Sequence, residues 1–102
     1  MKQLTMVDKK NKVLNAASIL KSIGHPIRVE IILALSQRSH MNVTELSDFL
    51  GIEQPVMSLH LSILRKKNII TSIKEGTRSV YKINNNSIKQ IIRIIYYSNS
   101  NN

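Results

Sequence analysis

Residues 42–78 constrain the fold of this chain more than any other part of the sequence. Asn42 and Glu45 stand at the spacing of a capping box, which predicts that a helix begins here. Gly51 then supplies a turn, and a second helix is predicted at about 54–67. A helix, a tight turn and a helix in this order form a unit that fits the major groove of duplex DNA.

A basic hairpin follows the second of these helices. Two β-branched runs, 69–74 and 79–83, flank Glu75, Gly76 and Thr77, which predicts two strands joined by a turn at the glycine. In such a hairpin, or wing, basic residues reach the DNA backbone or the minor groove beside the helix. The whole stretch therefore predicts a winged helix-turn-helix.

The rest of the chain supplies three more helices around this unit. Residues 1–8 are predicted to be a loose arm, and 8–23 a helix that ends at Gly24. A helix from Pro26 to about Gln37 follows, and 38–41 form a polar connection that can add a short strand. After three asparagines comes a last helix, with a loose tail at 98–102. The predicted fold is mainly α: about five helices and a two- to three-stranded wing sheet.

Composition and charge favour a polyanionic partner. The 102 residues suffice for one domain, 1–102, and carry 15 Lys and Arg against 6 Asp and Glu, a formal charge of +9. The chain contains no cysteine, which excludes disulfides, thiolate metal sites and cysteine redox switches. Because the sequence shows neither a secretory signal nor an apolar run long enough for a membrane helix, we expect a cytoplasmic protein without a membrane partner.

The helix at 54–67 has two distinct faces. At 100° per residue, its inner side carries apolar residues and its outer side carries Pro55, Leu59, Ser62 and Lys66. Ser58 flanks that outer side, and Gln54 lies at its tip. If this face binds DNA, Leu59 packs on a thymine methyl group, the serines contact bases or phosphates, and Gln54 pairs with adenine. Alternatively, Leu59 is one of the scattered apolar residues that are common on protein surfaces.

Basic residues lie where both elements would approach one duplex. Each alone is more simply explained as a solvated charge, but together they favour phosphate contacts. The predicted DNA-binding residues are Thr44, Gln54, Pro55, Ser58, Leu59, Ser62, Arg65, Lys66, Lys74, Thr77 and Arg78.

Several short motifs, in this order and spacing, resemble the arsenic-repressor (ArsR) family of winged-helix transcriptional regulators. They are Gly24-His25-Pro26-Ile27-Arg28, Thr44-Glu45-Leu46, Gln54-Pro55, Ser58, His60-Leu61, Leu64-Arg65, Gly76 and Tyr81. The resemblance covers about 20–83. It implies a homodimer, formed through the first and last helices, that binds an inverted-repeat operator in double-stranded DNA and usually represses transcription.

The apolar character of the last helix supports such a dimer independently. Its isoleucines form a stripe that is too apolar for a terminal helix exposed to water. An alternative is that the stripe packs only on the core of its own protomer. The predicted interface residues are Leu14, Ala17, Leu20, Ile88, Ile91, Ile92, Ile95 and Tyr96.

The sequence departs from the family pattern at the sites where many relatives bind metals. Those relatives use a cysteine pair in the third helix, or Asp and His along the last helix, and this chain has neither set. No metal site or other cofactor is therefore predicted, and His60 is interpreted as a packed, hydrogen-bonded structural residue. In the wing, Thr77 follows the glycine where relatives commonly carry Arg, and Arg78 comes next.

Two other functional classes compete with a DNA-binding regulator. A winged-helix adaptor that binds only protein is disfavoured by the positive charge and by the polar outer face of the 54–67 helix. An enzyme is disfavoured because the six acidic residues are scattered and form no catalytic cluster. The operator sequence, the inducing signal and the direction of regulation are not encoded in any recognisable motif.

Overall fold

The computed structural model of the chain describes residues 5–99, which form five helices and a three-stranded sheet. The described elements are α1 (Met6–Ile23), α2 (Pro26–Arg38), β1 (His40–Asn42), α3 (Val43–Leu50), α4 (Gln54–Lys66), β2 (Ile70–Glu75), β3 (Arg78–Ile83) and α5 (Asn86–Ser98). This order confirms the predicted winged helix-turn-helix. None of these helices combines the length and the apolar character needed to cross a bilayer.

The sheet places the wing beside the helix-turn-helix. Its strands are all antiparallel and lie in the order β1-β3-β2, with Met41 opposite Tyr81 and Glu75 opposite Arg78. Gly76 has φ +64° at the first position of the two-residue hairpin loop, where type II′ turns favour glycine. β1 pairs with β3 of the wing and runs directly into α3. It therefore connects the wing to the start of that helix.

Local signals begin and end the two central helices. Asn42 N–H donates to Glu45 Oε1 at 2.9 Å, and Glu45 N–H donates to Asn42 Oδ1 at 2.8 Å, which completes the predicted capping box of α3. Gly51 ends α3 in the left-handed conformation with φ +67°. Asn68, just beyond α4, has φ +58°, as expected for an asparagine at a helix end.

The core is formed mainly by the inner faces of α2 and α4 with the base of the wing. Met57, Leu61 and Leu64 of α4 are fully buried, as their spacing predicts. They pack in one cluster with Ile31, Ile32, Leu35, Leu46, Ile69 and Ile70. Burying each such side chain stabilises the folded state by about 1.5–3 kcal/mol relative to exposure. This packing holds α4 in place, with its outer face directed away from the core.

The predicted loose ends are shorter than expected. Thr5 accepts a hydrogen bond from Asp8 N–H at 3.0 Å and caps α1, so 6–8 are helical and not part of a loose arm. At the other end, α5 includes Ser98, which was assigned to the tail. The remaining arm and tail residues, 1–4 and 100–102, lie outside the described residues.

Ser47, in α3, carries a polar group without a partner. Its side chain is buried, and its Oγ makes no hydrogen bond to the described part of the chain. We expect Ser47→Ala to raise the free energy of unfolding by about 1 kcal/mol, because it removes an unsatisfied hydroxyl and improves helix propensity. Urea unfolding measures this change.

Ser36→Ala is the matched control, because the Ser36 hydroxyl donates to the Ile32 carbonyl at 2.9 Å and should give no gain in stability. A loss of stability in Ser47→Ala would show that the hydroxyl has a partner in solution.

Candidate nucleic-acid interface

The outer face of α4 is exposed along its whole length. Pro55, Ser58, Ser62 and Lys66 are exposed, as predicted, and Leu59 is 59% exposed. Val56 is also exposed on the flank of this face, and the sequence analysis did not assign it a role. An apolar pair on an otherwise polar helix face can contact thymine methyl groups while the serines hydrogen-bond to bases or phosphates.

The turn between α3 and α4 brings Gln54 against Thr44. Gln54 Nε2 donates to Thr44 Oγ1 at 3.3 Å, so the amide at the tip of α4 is held by the first turn of α3. This contact places the amide oxygen of Gln54 and the exposed side chain of Thr44 at one end of the α4 face. The side chain of Glu53, the residue before α4, accepts no hydrogen bond from the helix start, although its carbonyl accepts one from Met57 N–H at 2.9 Å.

A cleft of about 290 Å³ separates the start of α3 from the wing. Thr44, Thr77 and Arg78, which the sequence analysis predicted as DNA contacts on separate elements, line this one cleft. Asn42, Val43, Ser79 and Tyr81 complete its walls. Hydroxyl groups, a guanidinium and the N–H end of a helix together form a surface suited to a phosphate group.

The remaining predicted cations frame α4 and the hairpin. Lys66 and Lys74 are exposed, and Arg65 Nη1 donates to Ser72 Oγ on β2 at 3.4 Å. That bond ties the end of α4 to the wing while leaving Arg65 exposed. The positive charge therefore lies on both sides of the α4 face.

A second uncovered surface, which we call the α1–α5 face, lies away from α4. Its exposed apolar residues are Met6, Val7, Val13, Leu14 and Leu20 of α1 with Ile91, Ile94, Ile95 and Tyr96 of α5. An apolar cavity of about 370 Å³ brings Leu20, Ile91, Ile95 and Tyr96 together. The largely buried Ile92 also lines this cavity, so five of the predicted interface residues share one concave surface.

Two of the predicted interface residues are buried within the protomer. Ile88 and Ile92 are only 5% exposed and belong to the core of the protomer. The sequence stripe of α5 is therefore divided, because α2 packs on one side of it and leaves Ile91 and Ile95 on the open side. The alternative interpretation, in which the stripe packs on the core of its own protomer, therefore applies to Ile88 and Ile92 but not to Ile91 and Ile95.

The first two-thirds of α1 have no cover within the protomer. Every residue from 5 to 17, including Leu14 and Ala17, is exposed. A lone helix of this length is only marginally stable in water, even with a capping box. The extended apolar side of α1 therefore favours a partner surface.

Arg28, which the sequence analysis did not assign a contact, joins three helices. Its Nε donates to His60 Nδ1 on α4 at 3.1 Å, and its Nη1 donates to the Ser22 carbonyl in the last turn of α1 at 2.9 Å. His25 caps α2 by accepting from Ile27 N–H at 3.1 Å, and its ring centroid lies 4.5 Å from that of His60. The prediction that His60 is packed and hydrogen-bonded is confirmed. We call Ser22, His25, Arg28 and His60 the Arg28 junction.

Burial lowers the pKa of His60 below its ordinary value of 6.5, and the charges of His25 and Arg28 lower it further. Both imidazoles accept a hydrogen bond at Nδ1, and His60 must be neutral to accept the one from Arg28 Nε. Among residues 5–99, no three His, Asp or Glu side chains lie close enough together to hold a metal ion.

The matches to known proteins cover the same helices and strands. A model of the family described as "Bacterial regulatory protein, arsR family" matches residues 25–72, which span α2 to the start of β2. An uncharacterised HTH-type transcriptional regulator of Methanocaldococcus jannaschii is 38% identical over 84 residues, covering 82% of this chain and 94% of that protein. The transcriptional repressor PagR of Bacillus anthracis is 32% identical, covering 78% of this chain and 79% of its own.

Solved structures share the fold. The crystal structure of PagR superposes with a TM-score of 0.78 at 29% identity, covering 84% of this chain and 98% of PagR. The homodimeric winged helix-turn-helix domain of the Mycobacterium bovis protein Mb0332 superposes with a TM-score of 0.82 at 19% identity, covering 96% of this chain and 89% of that domain. The second likeness concerns the fold alone.

Proposed function

This chain belongs to the ArsR family of regulatory proteins, and we propose on that premise that it is a dimeric repressor that binds an inverted-repeat operator. It is a transcriptional regulator with a winged-helix DNA-binding fold and not an enzyme. The observation that carries the proposal is the exposed outer face of α4, whose inner face is anchored in the core and whose last turn carries Arg65 and Lys66.

The α1–α5 face supports the dimeric part of the proposal. Leu20 is 55% exposed and Ile95 is 59% exposed, and they line the same cavity. Covering such residues by a second copy removes apolar area from water. The Mycobacterium bovis domain of the same fold is a homodimer. We propose Leu14, Ala17, Leu20, Ile91, Ile95 and Tyr96 as the interface, without Ile88 and Ile92.

A two-fold dimer presents two copies of α4 to successive major grooves of one duplex. The half-sites would then be centred about 10 base pairs apart. Phosphate contacts from Arg78, Lys66 and Lys74 supply affinity that depends on salt concentration. Gln54, Ser58, Leu59 and Ser62 select the sequence by contacting base edges.

We also propose that neither of the two metal sites known in many relatives controls this regulator. The chain has no cysteine, and α5 contains neither histidine nor a carboxylate. The residues that would occupy both ligand sets therefore lack the chemistry to bind a transition metal.

A protection footprint on the DNA upstream of the protein's own gene tests the proposal directly. We expect two protected half-sites related by a dyad, and a steep loss of affinity with salt, with a slope of about −0.9 per phosphate neutralised. Gel-shift titrations with the footprinted duplex and a random duplex of equal length give the specificity ratio. Equal affinity for the two duplexes would favour the adaptor interpretation instead.

Leu59→Ala tests the outer face of α4. We expect a loss of operator affinity of about 1–3 kcal/mol, confined to sites that carry thymine opposite Leu59, because one apolar contact with a methyl group is removed. Selection of binding sites from a randomised duplex pool measures the change in preference.

Arg78→Ala is the comparison variant, because a wing contact to phosphate carries no sequence information. It should weaken binding to operator and random duplexes about equally. If Leu59→Ala retains both the affinity and the sequence preference of the unmodified protein, the outer face of α4 is not the sequence-reading surface.

A further inference from the structure

We propose that the Arg28 junction positions α4 against α1, and that operator recognition weakens in acid because the contact between Arg28 and His60 is lost. The inference rests on the proposed function, since it concerns regulation of the same DNA-binding face. It arises from contacts on the buried side of α4, away from Ser62.

The position of Arg28 makes it a bridge between the two surfaces of the molecule. The Ser22 carbonyl lies in the last turn of α1, where helix carbonyls lack intrahelical partners and a cation is favoured by the helix dipole. His60 lies on α4, three helical turns or fewer from every residue of the outer face. One guanidinium thus links the α1–α5 face to the helix that is proposed to read DNA.

His60 must remain neutral to keep its contact with Arg28. A protonated His60 has no free lone pair on Nδ1 and cannot accept from Arg28 Nε, and it would place a second cation 3.1 Å from that nitrogen. Acid therefore breaks the contact that joins Arg28 to α4.

None of the described carboxylates offsets the positive charge at His60. Besides burial, the charged and titratable groups that act on His60 are His25 and Arg28, both at the start of α2, and both disfavour its protonation. From α1, the junction receives the Ser22 carbonyl. Because the pKa of His60 is lowered below 6.5 in the folded chain, its contact with Arg28 is intact above pH 6.5 and is lost as the pH falls through that lowered pKa.

The direction of the effect separates this proposal from simple electrostatics. Adding positive charge to a protein ordinarily strengthens its binding to any duplex. The junction predicts the opposite change for the operator, because a displaced α4 fits the specific site less well. The ratio of operator affinity to random-duplex affinity separates this loss of specific binding from the general effect of charge.

The test measures that ratio at pH 7.5 and pH 5.5, at constant ionic strength, by fluorescence anisotropy. The duplexes are the footprinted operator and a random duplex of equal length. We expect the ratio of the unmodified protein to be several-fold lower at pH 5.5, because a protonated His60 cannot accept from Arg28 Nε. The double variant His25→Asn, His60→Asn should change by less than about twofold, because asparagine caps helices and accepts hydrogen bonds without titrating.

Two further variants define the source of the effect. His40→Asn should keep the full pH dependence, whereas Arg28→Lys should show a low ratio at both pH values, because a point ammonium does not reproduce the two-armed guanidinium. Helical circular dichroism confirms that each variant is folded. A ratio that is independent of pH in the unmodified protein, or a pH dependence that survives in the double variant, overturns the proposal.

A readout without DNA keeps this test distinct from that of the proposed function. The Nε–H resonance of Arg28 should be seen by NMR at pH 7.5 and lost at pH 5.5, although exchange with water slows in acid. If no duplex is bound specifically at any pH, the proposed function fails, and an Arg28 resonance that persists unchanged at pH 5.5 overturns the junction as well.

Discussion

Ile95→Asp is expected to convert the protein from a dimer to a monomer and to lower operator affinity by at least about 100-fold. Ile95 is 59% exposed in the protomer and lines the apolar cavity between α1 and α5. In a two-fold interface each substitution occurs twice, so two carboxylates would be buried without partners. The cost of each is several kcal/mol.

The loss of DNA binding follows from the loss of the second half-site. In the dimer, binding of one α4 brings the other to its groove at a high effective concentration, and a monomer lacks this gain. Sedimentation equilibrium gives the oligomeric state, and a gel-shift titration of the same samples gives the affinity.

Gln90→Asp is the matched control for this substitution. Gln90 is exposed on the side of α5 away from Ile91 and Ile95, and its replacement adds the same charge to the same helix. We expect this variant to remain dimeric and to bind the operator within about threefold of the unmodified protein. A dimeric Ile95→Asp variant with normal affinity would place the interface elsewhere.

Local signals explain why the central unit could be predicted from the sequence. The capping box at Asn42, the left-handed Gly51 and the turn at Gly76 each depend on neighbouring residues only, and all three are observed. The inner and outer faces of α4 were also predictable, because its apolar residues recur at helical spacing over a 13-residue helix.

Contacts between distant segments account for what the sequence could not predict. Ile88, Ile91, Ile92 and Ile95 form one stripe in the sequence, and only the placement of α2 decides which of them enter the core. The bond between Arg28 and His60 joins residues 32 positions apart, and no periodicity indicates it. The early start of α1 depends on the capping box of Thr5 and Asp8, which lies ahead of a lysine-rich stretch without helical apolar spacing.

Ser62→Glu is expected to abolish detectable operator binding, with a loss of at least about 100-fold. Ser62 is exposed at the centre of the outer face of α4, between Leu59 and Lys66. A carboxylate there would face the phosphates that border the major groove, and like charges at an interface cost several kcal/mol. Because the repulsion acts on any duplex, random DNA should be released as well.

The control must separate local repulsion from a change in net charge. Ser87→Glu also lowers the formal charge from +9 by one, but Ser87 is exposed in the first turn of α5, where a carboxylate is favoured by the helix dipole. We expect its operator affinity to remain within about threefold of the unmodified protein, measured by anisotropy at several salt concentrations. If both variants lose affinity alike, overall charge accounts for DNA binding. If neither does, the outer face of α4 does not approach the phosphates that border the major groove.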